Sequence, residues 1–143
     1  MAHDNPSHPI DERTGIEVID ANECAALLET TPLGRVGFAI DGAQVILPVN
    51  FLWFEGAVVF RTLEGQKMDA AIFVQPVAFE VDAWDVETRT GWSVLVKGLA
   101  HRVSQWAEIE ALERQGLVPW SKLKWRPYWV RIDPDEITGR RLV

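Results

Sequence analysis

Residue types that bind phosphate gather in one segment, which reads FRTLEGQK from Phe60 to Lys67. The pattern predicts that a strand ends at Arg61 and Thr62 and that a helix begins directly afterwards. A helix start presents unpaired N–H groups and the positive end of its dipole, and a guanidinium can hold two phosphate oxygens. Lys67 adds a second charge, and Gly65 lets backbone approach closely. The segment is a candidate phosphate cradle, although a plain Thr62 helix cap with solvated cations explains the same pattern.

A second stretch that could line a ligand site interrupts an apolar strand at Pro48 and Asn50. A proline and an asparagine in such a strand free backbone groups to bond something other than a neighbouring strand. The alternative is an edge or a bulge at a barrel rim, with no ligand.

A third stretch begins a predicted strand after a loop, at Thr90 to Val94. Gly91 leaves room for a ligand, Trp92 offers a flat apolar face and Ser93 offers a hydroxyl. The alternative is a strand start that carries one core tryptophan.

The remaining reactive residues give little support for hydrolytic or metal chemistry. The chain has no GxSxG or HExxH motif, and its single cysteine, Cys24, excludes a CxxC pair and an internal disulfide. Cys24 falls on the apolar face of a predicted helix, which indicates a buried, inert thiol. His101 stands alone in a long strand and is interpreted as a surface or hydrogen-bonded histidine. Glu80 and Asp82 share one strand face and are interpreted as solvent-exposed carboxylates.

Period-two hydrophobic patterns and turn signals predict the elements that must position these residues. Polar residues 1–13 are predicted to form a flexible arm ahead of a single domain, residues 14–143. Strands are predicted at residues 16–19, 35–40, 44–54, 58–62, 77–82, 92–103, 128–132 and 137–143. Helices are predicted to begin at Asp20 or Asn22, to cover residues 63–72, and to run from 105 to 115 after a Ser104 cap. Tight turns rather than helical crossovers join the strands, so we predict a β-rich fold with flanking helices, its antiparallel sheet closed into a small barrel.

Composition narrows the class of protein. The chain has 143 residues, is 48% hydrophobic, and carries 14 Lys and Arg against 21 Asp and Glu, a net charge of −7. So acidic a chain is a poor candidate for binding nucleic acid or an anionic membrane surface. The sequence has no apolar run long enough to span a bilayer and no signal-peptide pattern at its start, so we expect a cytoplasmic protein.

Short motifs in a fixed order resemble the pyridoxamine 5′-phosphate oxidase-like family of FMN-binding split barrels. They are GRVGF, PVNF, VVFRT with GQK, FEVD and GWSVLVKG, between about Leu33 and Val103, roughly half of the chain. The resemblance implies a six-stranded antiparallel split β-barrel and a homodimer with FMN at the subunit interface. It also implies a flavoprotein oxidoreductase that moves hydride or electrons between a nicotinamide donor and a small organic substrate.

The resemblance implies roles for particular residues, although it identifies no catalytic one. Arg61, Thr62 and Lys67 would hold the FMN phosphate. Pro48, Val49 and Asn50 would present backbone and the Asn50 side chain to the isoalloxazine ring. Phe60 would pack near the ring or the ribityl chain, and Trp92 and Ser93 would close the site. Candidates for the substrate wall, or else for a core or dimer interface, are Trp120, Trp125, Tyr128 and Trp129.

Several alternatives stay open at this point. The stretch from Trp129 to Val143 lacks the Arg-x-His motif expected of a true pyridoxamine 5′-phosphate oxidase. Small members of the family include reductases of activated substrates, users of the deazaflavin F420 and haem-binding proteins. A flavin or haem carrier without turnover is a second hypothesis, and a nucleic-acid-binding barrel is a distant third that the net charge disfavours.

Overall fold

The computed structural model describes residues 10–62, 70–120 and 128–142. Within these ranges, the strands are β1 (Ile10–Asp11), β2 (Ile16–Ile19), β3 (Leu33–Ile40), β4 (Ala43–Phe54), β5 (Ala57–Thr62), β6 (Pro76–Asp85), β7 (Thr90–Arg102) and β8 (Tyr128–Leu142). The longer helices are α1 (Ala21–Thr30) and α2 (Trp106–Glu113). Residues 70–72 are also helical, as predicted, while the rest of the predicted helix at 63–72 lies outside the described residues.

The strands form one antiparallel sheet that closes on itself. Strand β8 pairs with β5 on one side and with β7 on the other, so the ring runs β8-β5-β4-β3-β6-β7 and returns to β8. This confirms the antiparallel barrel with flanking helices. The short strands β1 and β2 extend the sheet from the far end of β8, which brings the sheet to 8 strands. Strand β1 also places Ile10 and Asp11 in the sheet, inside the stretch predicted as a flexible arm.

The meander β3-β4-β5 follows from its two turns. Asp41 and Gly42 have φ values of 50° and 80°, and Glu55 and Gly56 have φ values of 49° and 72°. Two consecutive residues of positive φ make the tight turn whose twist matches paired strands. The predicted hairpins are therefore confirmed, and the second one pairs the end of β4 with the start of β5.

Strand β8 corrects the prediction of two separate strands at residues 128–132 and 137–143. It runs unbroken, because the register against β7 shifts by one residue between Lys97 and Gly98. The extra residue at the shift is Asp135, next to Pro134, which has no N–H to donate to the ladder. A side chain at Gly98 would overlap the Asp133 carbonyl, so glycine permits the close approach.

The helices begin partly as predicted. Asp20 caps α1, since its carboxylate accepts a hydrogen bond from Glu23 N at 2.8 Å. Helix α2 begins after Gln105 rather than after the predicted cap Ser104, and no side-chain cap bond is present at that end. Gly116, with a φ of 71°, ends the turn after α2, as predicted.

The core divides between the barrel interior and the contact with α2. The interior holds Phe51, Phe60 and Phe79, and α1 seals it with Leu28 and Cys24. Cys24 is fully buried, which confirms the predicted burial of its thiol, and burial together with Asp20 and Glu23 raises its pKa. A smaller cluster under α2 consists of Val59, Val103, Leu112 and Trp129. Among the described residues, no helix combines the length and apolar character needed to cross a membrane.

Candidate functional site

Two of the predicted ligand-binding segments meet at one cavity. Pro48, Val49 and Asn50 of β4 and Arg61 of β5 line a cavity of about 260 Å³. They are neighbours because the pairing of β4 with β5 extends to Phe51 opposite Phe60, and Asn50 and Arg61 are the next residues beyond that pair on the two strands. The wall is completed by Leu33, Pro119 and Trp120.

The Asn50 side chain stands where this cavity meets a second one. A neighbouring cavity of about 420 Å³ also includes Asn50 and Trp120 in its wall. Asn50 Nδ2 donates to Pro32 O at 3.3 Å, and Asn50 Oδ1 accepts from Trp120 N at 2.8 Å. The amide thus ties two walls together and retains one N–H and one lone pair for a ligand.

Arg61 contacts Glu113 of α2 and Trp129 of β8. Its Nη1 lies 3.3 Å from Glu113 Oε2 at the end of α2. Its guanidinium carbon lies 4.9 Å from the ring centroid of Trp129. Trp129 in turn donates from Nε1 to Glu113 Oε1 at 3.0 Å. The side chain of Arg61 is only 19% exposed, so its charge sits at a largely enclosed position beside the cavity.

Thr62 and Phe60 are the other described residues of the segment predicted as a phosphate cradle. Thr62 is buried, and the described residues supply no hydrogen-bond partner for its hydroxyl. Phe60 packs inside the barrel, because adjacent residues of a strand face opposite sides and Arg61 faces α2. Phe60 is therefore not part of the described cavity wall, despite the contact predicted for it. Lys67 lies outside the described residues.

Trp92 and Ser93 are not among the described residues that line this cavity. On β8, they pair with Arg141 and Arg140, near the end of the strand. Arg61 pairs with Trp129, near the start of the same strand. The predicted site residues therefore form two groups at opposite ends of β8.

The predicted substrate wall is only partly in place. Trp120 is 64% exposed and lines the cavity, while Trp129 is buried behind Arg61. Tyr128 stacks under Arg102, whose guanidinium carbon is 4.1 Å from the ring centroid. Trp125 lies outside the described residues.

Sequence reasoning missed Glu113, the partner of Arg61. A signal was present, because Glu113 ends a helix that has no basic residue in its last turn. The negative end of the helix dipole disfavours a carboxylate there unless a cation compensates. Leu33 and Pro119 were also missed, since an apolar lining residue has no distinctive pattern.

Glu80 and Asp82 are not the solvated carboxylates that the sequence predicted. Both lie 3.3 Å from Nη1 of Arg35, and the Asp82 side chain is only 19% exposed. Burial, followed by the hydrogen bond and charge of Asp82, raises the pKa of Glu80 to about 7 against the opposing effect of Arg35. Pairing of β3 with β6 creates this cluster.

His101 is a surface histidine, as predicted. Its Nδ1 lies 3.1 Å from Asp133 Oδ2, and about half of its side chain is exposed. Across the described ranges, no group of three or more His, Cys, Asp or Glu side chains is arranged to hold a metal ion.

A closed antiparallel barrel of six strands, with an arginine and an apolar cavity at its rim, defines the split-barrel class. A family profile described as pyridoxamine 5′-phosphate oxidase matches residues 20–141. The chain belongs to this family, which confirms the resemblance seen in its motifs.

Similarity to individual proteins supports this assignment. The FAD binding protein from Mycobacterium smegmatis is 40% identical, with a TM-score of 0.76 over 87% of this chain and 97% of that one. The uncharacterized protein Rv0080 from Mycobacterium tuberculosis is 36% identical over 87% of this chain and 84% of its own length. An FAD and haem binding protein from Mycobacterium smegmatis, at 17% identity and a TM-score of 0.62, covers 85% of this chain and 70% of that one and shares the fold alone.

Proposed function

We propose that this protein binds a flavin nucleotide and acts as a flavin-dependent oxidoreductase on a small organic substrate. The observation that carries the proposal is the single cavity that joins the Pro48–Asn50 segment to Arg61. A bound flavin would supply hydride or electron transfer at its ring, and the chain would supply position and electrostatics. The electron donor in the proposal is a reduced nicotinamide.

The residues at the cavity fit a flavin and its phosphate. Leu33, Val49 and Trp120 provide apolar surface for a flat ring, and Arg61 provides a largely enclosed cation. In this proposal the hydroxyl of Thr62, the last residue of β5, is a further donor for the phosphate, although Thr62 is not among the described residues of the cavity wall. Lys67, which follows in the sequence, would add a second charge.

The part of the flavin recognised in this proposal is the riboflavin phosphate, which FMN and FAD share. One cation from β5 and one from the following segment suit a single phosphate and favour FMN. The 40% identity to a protein named as FAD binding favours the dinucleotide. Mass measurement of the ligand released from purified protein distinguishes the two, and would equally reveal F420 or haem.

A homodimer with the cofactor between subunits is part of the proposal. The two groups of site residues lie at opposite ends of β8, so one subunit alone does not assemble them. Strand β4 also exposes adjacent apolar side chains, with Ile46 at 70% and Leu47 at 37% exposure. A second copy of the chain could cover this surface and bring its Trp92 and Ser93 to the Arg61 cavity. Light scattering that shows a monomeric flavin-loaded protein would contradict this arrangement.

The phosphate assignment is tested with the variant Arg61→Ala/Lys67→Ala. Charge-assisted hydrogen bonds contribute roughly 1.5–3 kcal/mol each, so loss of both should raise the Kd for FMN at least about a hundredfold. Arg61 lies in the cavity wall and not in the barrel core, so the fold should persist by circular dichroism. The matched control is Arg114→Ala/Lys97→Ala, which removes two exposed cations that do not line the cavity. A double variant that purifies with stoichiometric FMN would show that the assignment is wrong.

Turnover is tested separately. We expect the yellow, flavin-loaded protein to consume NADH or NADPH with a quinone or a nitroaromatic acceptor. A loaded protein that shows no turnover with any donor would support a carrier or sensor instead.

A further inference from the structure

The guanidinium of Arg61 is contacted from behind, on the side that faces α2. We propose that Glu113 and Trp129 are positioning residues that fix Arg61 for a flavin phosphate. The inference rests on the proposed function, because it assumes that Arg61 receives that phosphate.

The three side chains form a closed set of contacts. Glu113 uses one carboxylate oxygen for Arg61 Nη1, at 3.3 Å, and the other for Trp129 Nε1, at 3.0 Å. The Trp129 ring lies against the guanidinium, 4.9 Å from its carbon to the ring centroid. Each side chain thus contacts the other two, and the contacts join β5, β8 and α2.

The register of the barrel sets up this arrangement. Arg61 on β5 lies directly opposite Trp129 on β8. Trp129 is only 2% exposed and belongs to the cluster that packs α2 against the sheet. Leu112 of that cluster is fully buried, and it precedes Glu113 in α2. The packing of α2 therefore fixes where the Glu113 carboxylate lies.

The contacts of Arg61 with Glu113 and Trp129 lie outside the described wall of the cavity. Among the described residues that line the cavity, Arg61 is the charged one, and neither Glu113 nor Trp129 is among them. The carboxylate thus does not occupy the space proposed for the phosphate. Glu113 consequently orients Arg61 and does not compete with the phosphate for the cavity.

Preorganisation is the physical advantage of this arrangement. An arginine side chain has many rotamers, and a ligand that must order it loses affinity. Glu113 and Trp129 order the guanidinium before any ligand arrives. The helix dipole disfavours a carboxylate at the end of α2, so the contacts to Arg61 and Trp129 are what compensate Glu113.

The test compares FMN with riboflavin, which has the same ring but no phosphate. Full-length protein freed of flavin is titrated with each, and the Kd values come from quenching of flavin fluorescence. We expect Glu113→Gln to weaken FMN binding about five- to twentyfold and to leave riboflavin binding unchanged. Trp129→Phe, which keeps an aromatic ring but loses the Nε1 donor, should weaken FMN binding about two- to fivefold. The control Glu110→Gln changes an exposed glutamate one turn earlier in α2 and should change neither Kd.

A purely structural role for Glu113 predicts a different result, because loosening α2 would weaken FMN and riboflavin equally. That result, or an FMN affinity that is unchanged or higher in Glu113→Gln, would overturn the inference. If Glu113→Gln folds poorly, Glu113→Asp, which keeps the charge but shortens the side chain, should show the same FMN-specific loss. In the Arg61→Ala background, Glu113→Gln should have no further effect on FMN. Wild-type protein that binds FMN no more tightly than riboflavin would refute the phosphate assignment itself.

Discussion

Arg61 and Arg131 form a matched pair within this barrel. Both face α2, their side chains are 19% and 17% exposed, and each pairs with a glutamate of that helix. The glutamates are Glu113 for Arg61 and Glu108 for Arg131. Exposure and ion pairing therefore do not distinguish a ligand-binding arginine from a structural one.

The surroundings of the two arginines do distinguish them. Arg131 also bonds Asp133 Oδ1 at 2.8 Å and the Glu55 carbonyl at 3.2 Å. The cavity beside Arg131, of about 530 Å³, includes Glu55, Glu108 and Asp133 in its wall. The described wall of the cavity beside Arg61 contains no carboxylate. The described wall of the Arg61 cavity is thus compatible with an anionic ligand, whereas the carboxylates in the wall of the Arg131 cavity would repel one.

The largest effect expected from this difference is on stability. Arg131→Ala should lower the free energy of unfolding by about 2–3 kcal/mol, because it leaves Glu108 and Asp133 without their shared cation. Flavin affinity should not change. Urea denaturation and FMN titration of the same preparation measure both quantities. An Arg131→Ala variant that loses FMN as strongly as Arg61→Ala would remove the distinction between the two arginines.

A smaller effect is expected from the glutamate that pairs with Arg131. Glu108→Gln should destabilise the protein by about 1 kcal/mol and leave the ratio of FMN to riboflavin affinity unchanged, because Arg131 keeps its other partners. The corresponding change at Glu113 is expected to alter that ratio. Equal ratios in the two variants would mean that α2 treats the two arginines alike.

The smallest effect concerns Glu80, which together with Asp82 pairs with Arg35. The side chain of Arg35 is 47% exposed. The pKa of Glu80 is raised to about 7, so the folded protein holds a proton that the unfolded chain releases near pH 4.5. This contribution to stability is complete below about pH 4.5 and is lost as the pH rises through 7. We expect Tm to fall by a few degrees across that interval, and Glu80→Gln to remove the decrease. Melting curves at pH 5 and pH 7.5 test this, and an equal decrease in both proteins would contradict it.

The sequence predicted the features of the fold that local chemistry determines. The turns at Asp41-Gly42 and Glu55-Gly56 and the cap at Asp20 depend on neighbouring residues, and all are present. The continuity of β8 was not predicted, because Pro134 is accommodated by a register shift opposite Gly98 on a distant strand. A local pattern contains no information about such a partner.

In the candidate site too, the sequence predicted the residues with recognisable local chemistry and missed the contacts between distant segments. Pro48, Asn50 and Arg61 carry recognisable chemistry, and the hairpin between β4 and β5 brings them together. The burial of Glu80 and the contact of Glu113 with Arg61 both depend on pairing between residues far apart in sequence. The positions of Trp92 and Ser93 likewise follow from the long ladder between β7 and β8.

The position of β8 in the barrel has a consequence for how the chain folds. Strands β2, β5 and β7 all take β8 as a neighbour, and β8 follows each of them in the chain. During synthesis, β5 and β7 therefore carry open edges until the ribosome has released β8. Such edges are prone to pair with other chains, and contacts so distant in sequence form slowly. The interval before closure is thus the period in which a nascent chain is most exposed to aggregation and most dependent on chaperones.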